Sequence, residues 1–189
     1  VLICIMISAM DKKESWYSHL NYIWTVNGVK IGFLGYTDHL VPIRQSPNYS
    51  KGILYSKPEE NLAHYVDVLR NQEKCAFVAI VAHLGLSQQI HLANIPACEG
   101  VHYILGGDTH ERVRKPIQAN YAKVVEPGAF GSFVGKLELT IKNGKVISDS
   151  YELMEVDVNK YPASPKMEKI VAQYEGPYLE NIQKIVGYS

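Results

Sequence analysis

The chain has 189 residues, 47% hydrophobic and 20% charged. That is enough for one domain with a sizeable core, and it is not the composition of a disordered segment. Nineteen basic side chains balance nineteen acidic ones, so the charge is not the one-sided charge of a nucleic-acid groove or a polybasic membrane patch. Cys4, Cys75 and Cys98 are widely spaced and form no CxxC pair. They read as buried thiols rather than a disulfide framework or a zinc knuckle.

The opening VLICIMISAM is apolar but lacks a basic flank and is too short to span a membrane, so it is expected to be a buried strand. It starts in mid-run without a methionine, which suggests that the natural protein begins earlier. YIWTVNGVKIGFLGYT reads as two strands around Asn27-Gly28, a hairpin signal. Residues 37 to 57 read as a loop that contains a sequon, Asn48-Tyr49-Ser50. A helix is expected from Pro58-Glu59-Glu60 onward, with Leu62, Tyr65, Val66 and Leu69 on its core face. CAFVAIVAH is apolar enough for a strand buried on both faces of a parallel sheet. QQIHLANI is expected to be a short helix ended by Pro96, and VHYILGG a second buried strand. This alternation from Lys30 to Gly107 predicts βαβ units in an α/β layer architecture.

Beyond Pro116 the pattern changes to short antiparallel strands, KVVEPGAFG, SFVGKLELTIKNGKVISD and SYELMEV, with a hairpin at Asn143-Gly144. The final SPKMEKIVAQYEGPYLENIQKIV is helical, with Ser164 as N-cap, Pro165 at N1 and an interruption at Gly176-Pro177.

Ligands of open α/β sheets collect beyond the carboxyl ends of the strands. One buried strand ends at His83. The next ends at Gly106-Gly107 and delivers Asp108 and His110. If the backbone there is extended, residues i and i+2 face one centre and Thr109 faces away. Two imidazoles and a carboxylate make a plausible partial shell for a divalent ion. The alternative is an Asx-type turn at Asp108 with His83 as a satisfied core histidine. His19, His64, His91 and His102 read as structural or solvent-facing. The 13 tyrosines read as core and rim packing.

The succession VAHLGL, ILGGDTHERV and VVEPGAFGSFVGKLELTIKNGKV resembles the calcineurin-like metallophosphoesterases, and more narrowly their 5′-nucleotidase / UDP-sugar hydrolase branch. ISAMDKK and the following hairpin resemble the segment after that family's GNHE motif. KIVGYS resembles the start of the helix that leads to its C-terminal domain. The resemblance implies a metallophosphoesterase-type αββα sandwich, present here as its second half (1–160) with an exit helix (161–189). It also implies two divalent metal ions (Mn, Zn, Fe, Co or Mg), with His83 and His110 at ligand positions. Asp108 stands where the family has the first histidine of its GHxH motif. Gly85, Gly107 and Gly128 would shape the loops. Arg112 is a weaker candidate for a phosphate oxygen, and a surface arginine is the competing account.

Gln89 occupies a place where relatives often carry aspartate. The family's DxH, GD and GNHE motifs are not in this chain, and Asp38-His39 is no substitute because neighbouring residues of an extended segment point to opposite faces. The expected activity is hydrolysis of a small phosphate ester, nucleotides first, with the remaining ligands on a missing N-terminal segment or companion chain. A thiosulfohydrolase-like sulfur-ester hydrolase and a non-catalytic binding subunit are the alternatives. No nucleic-acid polymer and no transmembrane segment is expected. The family resemblance favours an extracellular, periplasmic or cell-surface location.

Overall fold

A computed structural model describes residues 21 to 187. The expected strand VLICIMISA, Cys4, His19 and the ISAMDKK segment lie outside the described residues, as do the last two of KIVGYS. The chain divides into two units, Val1–Glu155 and Val156–Ser189.

In the first unit, β1 (Asn21–Val26) and β2 (Val29–Thr37) form the expected hairpin. Asn27 and Gly28 both adopt positive φ, 50° and 78°, as a two-residue turn between twisted strands requires. The stretch expected as loop contains two single-turn helices, α1 (Val41–Arg44) and α2 (Pro47–Ser50). Both prolines sit in a first turn, where the missing N–H has no intrahelical partner to lose. A 3-10 turn at Pro58–Glu60 precedes α3 (Leu62–Asp67), which runs on as a π-helical turn over Val68–Gln72. Leu62, Val66 and Leu69 on one face are buried, as their spacing predicts.

Then follow β3 (Phe77–His83), α4 (Leu86–Asn94), β4 (Tyr103–Leu105), β5 (Ile117–Gln118) and β6 (Lys123–Val125). The six strands form one sheet in the order β1-β2-β3-β4-β6-β5. β2, β3, β4 and β6 run parallel, and β1 and β5 are antiparallel edges. The expectation that everything beyond Pro116 is antiparallel therefore fails at β6. Its short run Lys-Val-Val is buried against β4, so it completes the parallel core.

The last two strands are long rather than short: β7 (Phe133–Lys142) and β8 (Lys145–Glu155) pair as a separate two-stranded sheet. The stretch expected to end at Asp149 and the one expected to begin at Ser150 are joined in the single strand β8. In the structure the Asp149 carboxylate accepts hydrogen bonds from Lys123 Nζ and from the Tyr103 hydroxyl. With its charge met from the neighbouring sheet, β8 continues through it.

Period-two alternation divides the six-stranded sheet between two cores. Val78, Ile80, Ile104 and Val124 pack with Leu62, Val66, Leu69 and Leu92 of the helical layer. Phe77, Ala79, Tyr103 and Val125 pack with Leu137, Leu139, Ile141, Val146 and Tyr151 of β7 and β8. The result is a helix–sheet–sheet sandwich of the α/β class. Cys75 and Cys98 are free and buried, and burial pushes the Cys98 thiol up to about 12.

In the second unit, α5 (Pro165–Glu175), a 3-10 turn at Gly176–Tyr178 and α6 (Leu179–Ile182) reproduce the expected helix and its interruption, but the helix ends at Ile182, short of the expected Val186. Ser164 holds the N-cap position through its backbone, without a side-chain capping bond. Among the described residues no helix is long and apolar enough to cross a membrane.

Candidate active site

Because β2, β3 and β4 are parallel, their carboxyl ends lie along one edge of the sheet, and His83 is in register with Thr37. Just past Thr37, Asp38 turns inward and is 1% exposed. Its Oδ1 accepts the Leu40 N–H at 2.9 Å and the Gln88 amide at 3.3 Å. Its Oδ2 accepts a short hydrogen bond from Arg44. Burial pushes the Asp38 carboxyl up, but the bonds from Leu40, Arg44 and Gln88 outweigh it and hold the group below the usual carboxylate range.

Arg44 also approaches Asp108 Oδ2, at 3.6 Å, and Asp108 Oδ1 lies 3.4 Å from His83 Nε2. A continuous polar line therefore runs Asp38, Arg44, Asp108, His83 across the ends of three parallel strands. His83 and Asp108, both expected as ligands, are brought together. Asp38, set aside on the sequence, and Arg44 and Gln88, not singled out there, join them. A carboxylate at the end of a buried parallel strand was the available signal for Asp38. Nothing short of the folded loop marks Arg44.

His110 behaves differently. The segment bends at Asp108 and Thr109 rather than extending, and His110 takes a left-handed φ of 60°. The i, i+2 argument therefore does not hold here. Its imidazole stands edge-on to Phe130, with centroids 5.2 Å apart. Thr109, expected to face away, turns inward and donates to Glu126 at 3.1 Å. Arg112 is exposed, with its guanidinium 5.7 Å from the Phe133 ring centroid. A cleft of about 230 Å³ opens on the α4 side, lined by His39, Glu59, Ser87 and His91 among others.

An imidazole nitrogen and a carboxylate oxygen this close can both reach one divalent ion. Among the described residues no three His, Cys, Asp or Glu side chains converge on a metal position. The donor set thus fits part of a coordination shell, with Arg44 against the second oxygen of Asp108.

No family model matches the sequence. A 5′-nucleotidase of Vibrio cholerae is 26% identical, the match covering 74% of this chain and 30% of that protein. The sulfate thiohydrolase SoxB of Thermus thermophilus, solved with glycerol, superposes with a TM-score of 0.76 at 20% identity, over 85% of this chain and 29% of that one. A 5′-nucleotidase precursor, also from Thermus thermophilus, gives 0.73 at 19% identity, over 89% and 36%. The chain spans about a third of the length of the curated relatives it matches. The curated relatives and the shared sandwich fold agree with the motif order, and by these likenesses the chain is similar to the 5′-nucleotidases over about a third of their length.

Proposed function

We propose that the protein hydrolyses small phosphate esters, nucleotides foremost, at a two-metal centre to which this chain contributes His83, Asp108 and His110. The observation that supports this best is the meeting of His83 Nε2 and Asp108 Oδ1 at 3.4 Å on the carboxyl edge of the parallel strands. In a complete centre the remaining ligands come from parts of the protein that the relatives carry beyond the matched third, or from a companion chain. When bound, two divalent ions (Mn, Zn, Fe, Co or Mg) supply Lewis-acid charge opposite the phosphoryl group.

The chain's own side chains then hold and orient. His83 offers Nε2, and Asp108 offers the oxygen facing it. Arg44, fixed by Asp38, keeps a positive charge beside Asp108. Arg112, steadied over Phe133, is a further candidate contact for a phosphate oxygen. A location outside the cytoplasm fits this reading, one structural neighbour being a 5′-nucleotidase precursor.

A second reading, sulfur-ester hydrolysis on the same scaffold, is favoured by the likeness to the sulfate thiohydrolase, at a TM-score of 0.76. A panel of nucleoside monophosphates against a sulfur-conjugated substrate separates the two. Metal content and hydrolysis are to be measured on the full-length protein and its His83→Ala and His110→Ala variants. Each variant is expected to lose metal and at least about 100-fold in rate, the order at which single catalytic groups register. Unchanged metal content and unchanged hydrolysis in both would refute the ligand assignment. Metal retention without any hydrolysis by the wild type would make this a binding subunit.

A further inference from the structure

Two side chains of the apolar core lie directly beneath the site, and neither is used by the reading above. Glu126 and Gln89 are both 0% exposed. Burying a carboxylate is unfavourable unless its oxygens are saturated with hydrogen bonds, so what saturates Glu126 indicates its purpose. Glu126 Oε1 accepts from the Glu111 backbone N–H at 3.1 Å and from Thr109 Oγ1 at 3.1 Å. Its Oε2 accepts from Gln89 Nε2 at 3.0 Å. The same Gln89 amide donates to the Leu84 carbonyl at 2.7 Å, and the Leu86 N–H donates to Thr109 Oγ1 at 3.2 Å.

Gln89 apart, each of these partners belongs to one of the two segments that carry the site. Leu84 and Leu86, the first residue of α4, follow His83, and Thr109 and Glu111 belong to the segment with Asp108 and His110. The loops are therefore tied twice: Leu84 to Gln89 to Glu126, and Leu86 to Thr109 to Glu126. The backbone makes room for this. A Cβ at Gly106 would fall 2.1 Å from Gln89 Oε1, so the amide can lie here only because residue 106 is glycine.

We propose that Glu126 and Gln89 are positioning residues, a buried carboxylate–amide bracket that sets the separation between the two loops and hence between His83 and Asp108. The role rests on those two residues being ligands. The bracket also accounts for the bend at Asp108 and Thr109: the Thr109 hydroxyl is drawn down to Glu126, which leaves Asp108 facing His83.

The test uses the full-length protein and three variants. Thr109→Val removes the hydroxyl at nearly constant shape, Thr109→Ser restores it, and Glu126→Gln replaces one acceptor oxygen by a donor. Amide exchange is followed in the metal-free protein, and Mn²⁺ binding by titration. Thr109→Val and Glu126→Gln are expected to speed exchange over residues 107 to 111 about tenfold while β3 stays protected. They should weaken Mn²⁺ binding about ten- to hundredfold, the usual effect of disturbing groups behind the ligands. Thr109→Ser should match the wild type in both. Unchanged exchange in Thr109→Val, or exchange that rises equally in the loop and in β3, overturns the bracket. If Glu126→Gln does not fold, the valine and serine pair decides alone. A wild type that binds no Mn²⁺ sinks the ligand reading instead, whereas Mn²⁺ binding with an unmoved loop in the variants sinks only the bracket.

Discussion

At residue 106 the chain leaves β4 with no room for even a methyl group, because the Gln89 amide beneath it is fully buried and cannot swing out to solvent. At Gly107 nothing lies within 4 Å of an added Cβ. Gly106→Ala is therefore expected to cost about 1–3 kcal/mol by overpacking, and Gly107→Ala little. Chemical denaturation of the two variants checks this, and equal losses would contradict it. The sequence reading assigned loop-shaping to Gly85, Gly107 and Gly128. Gly128, with φ of 79° and an added Cβ 2.9 Å from Phe133, fulfils that role, but the tightest constraint falls on Gly106. Gly-Gly is visible in the sequence; which of the pair has a side chain packed against it depends on a residue in another element.

At the scale of elements, β8 is held to the main sheet by a charge as well as by apolar packing. The Lys123 ammonium holds the Asp149 carboxyl below the usual range, helped by the hydrogen bond from Tyr103. A carboxyl whose folded pKa is depressed stabilises the fold above its unfolded pKa, and this is lost as pH falls through the folded value. Asp149→Asn is thus expected to cost about 1–2 kcal/mol at pH 7. The difference from wild type should fade as pH falls below about 4. A pH series of urea midpoints tests this, and a gap constant to pH 2 would rule the ion pair out as its source. The alternation of β7 and the Asn143-Gly144 turn were legible. The continuity of β8 was not, because the partners of Asp149 lie 26 and 46 residues away.

For the molecule as a whole, every fully buried residue among those described lies at or before Glu126, inside the unit Val1–Glu155. The sequence by itself determined the α/β class, the parallel β2, β3 and β4, both tight hairpins and the likeness to the 5′-nucleotidases, because hydrophobic period, turn chemistry and short motifs are local properties. It also named His83 and Asp108, which stand at strand ends. Only the tertiary structure decided that Arg44 and Asp38 join them, that Thr109 turns inward while His110 takes a left-handed backbone, and that a buried carboxylate lies underneath. Those are contacts between distant segments, set by which loops the sheet brings to one edge.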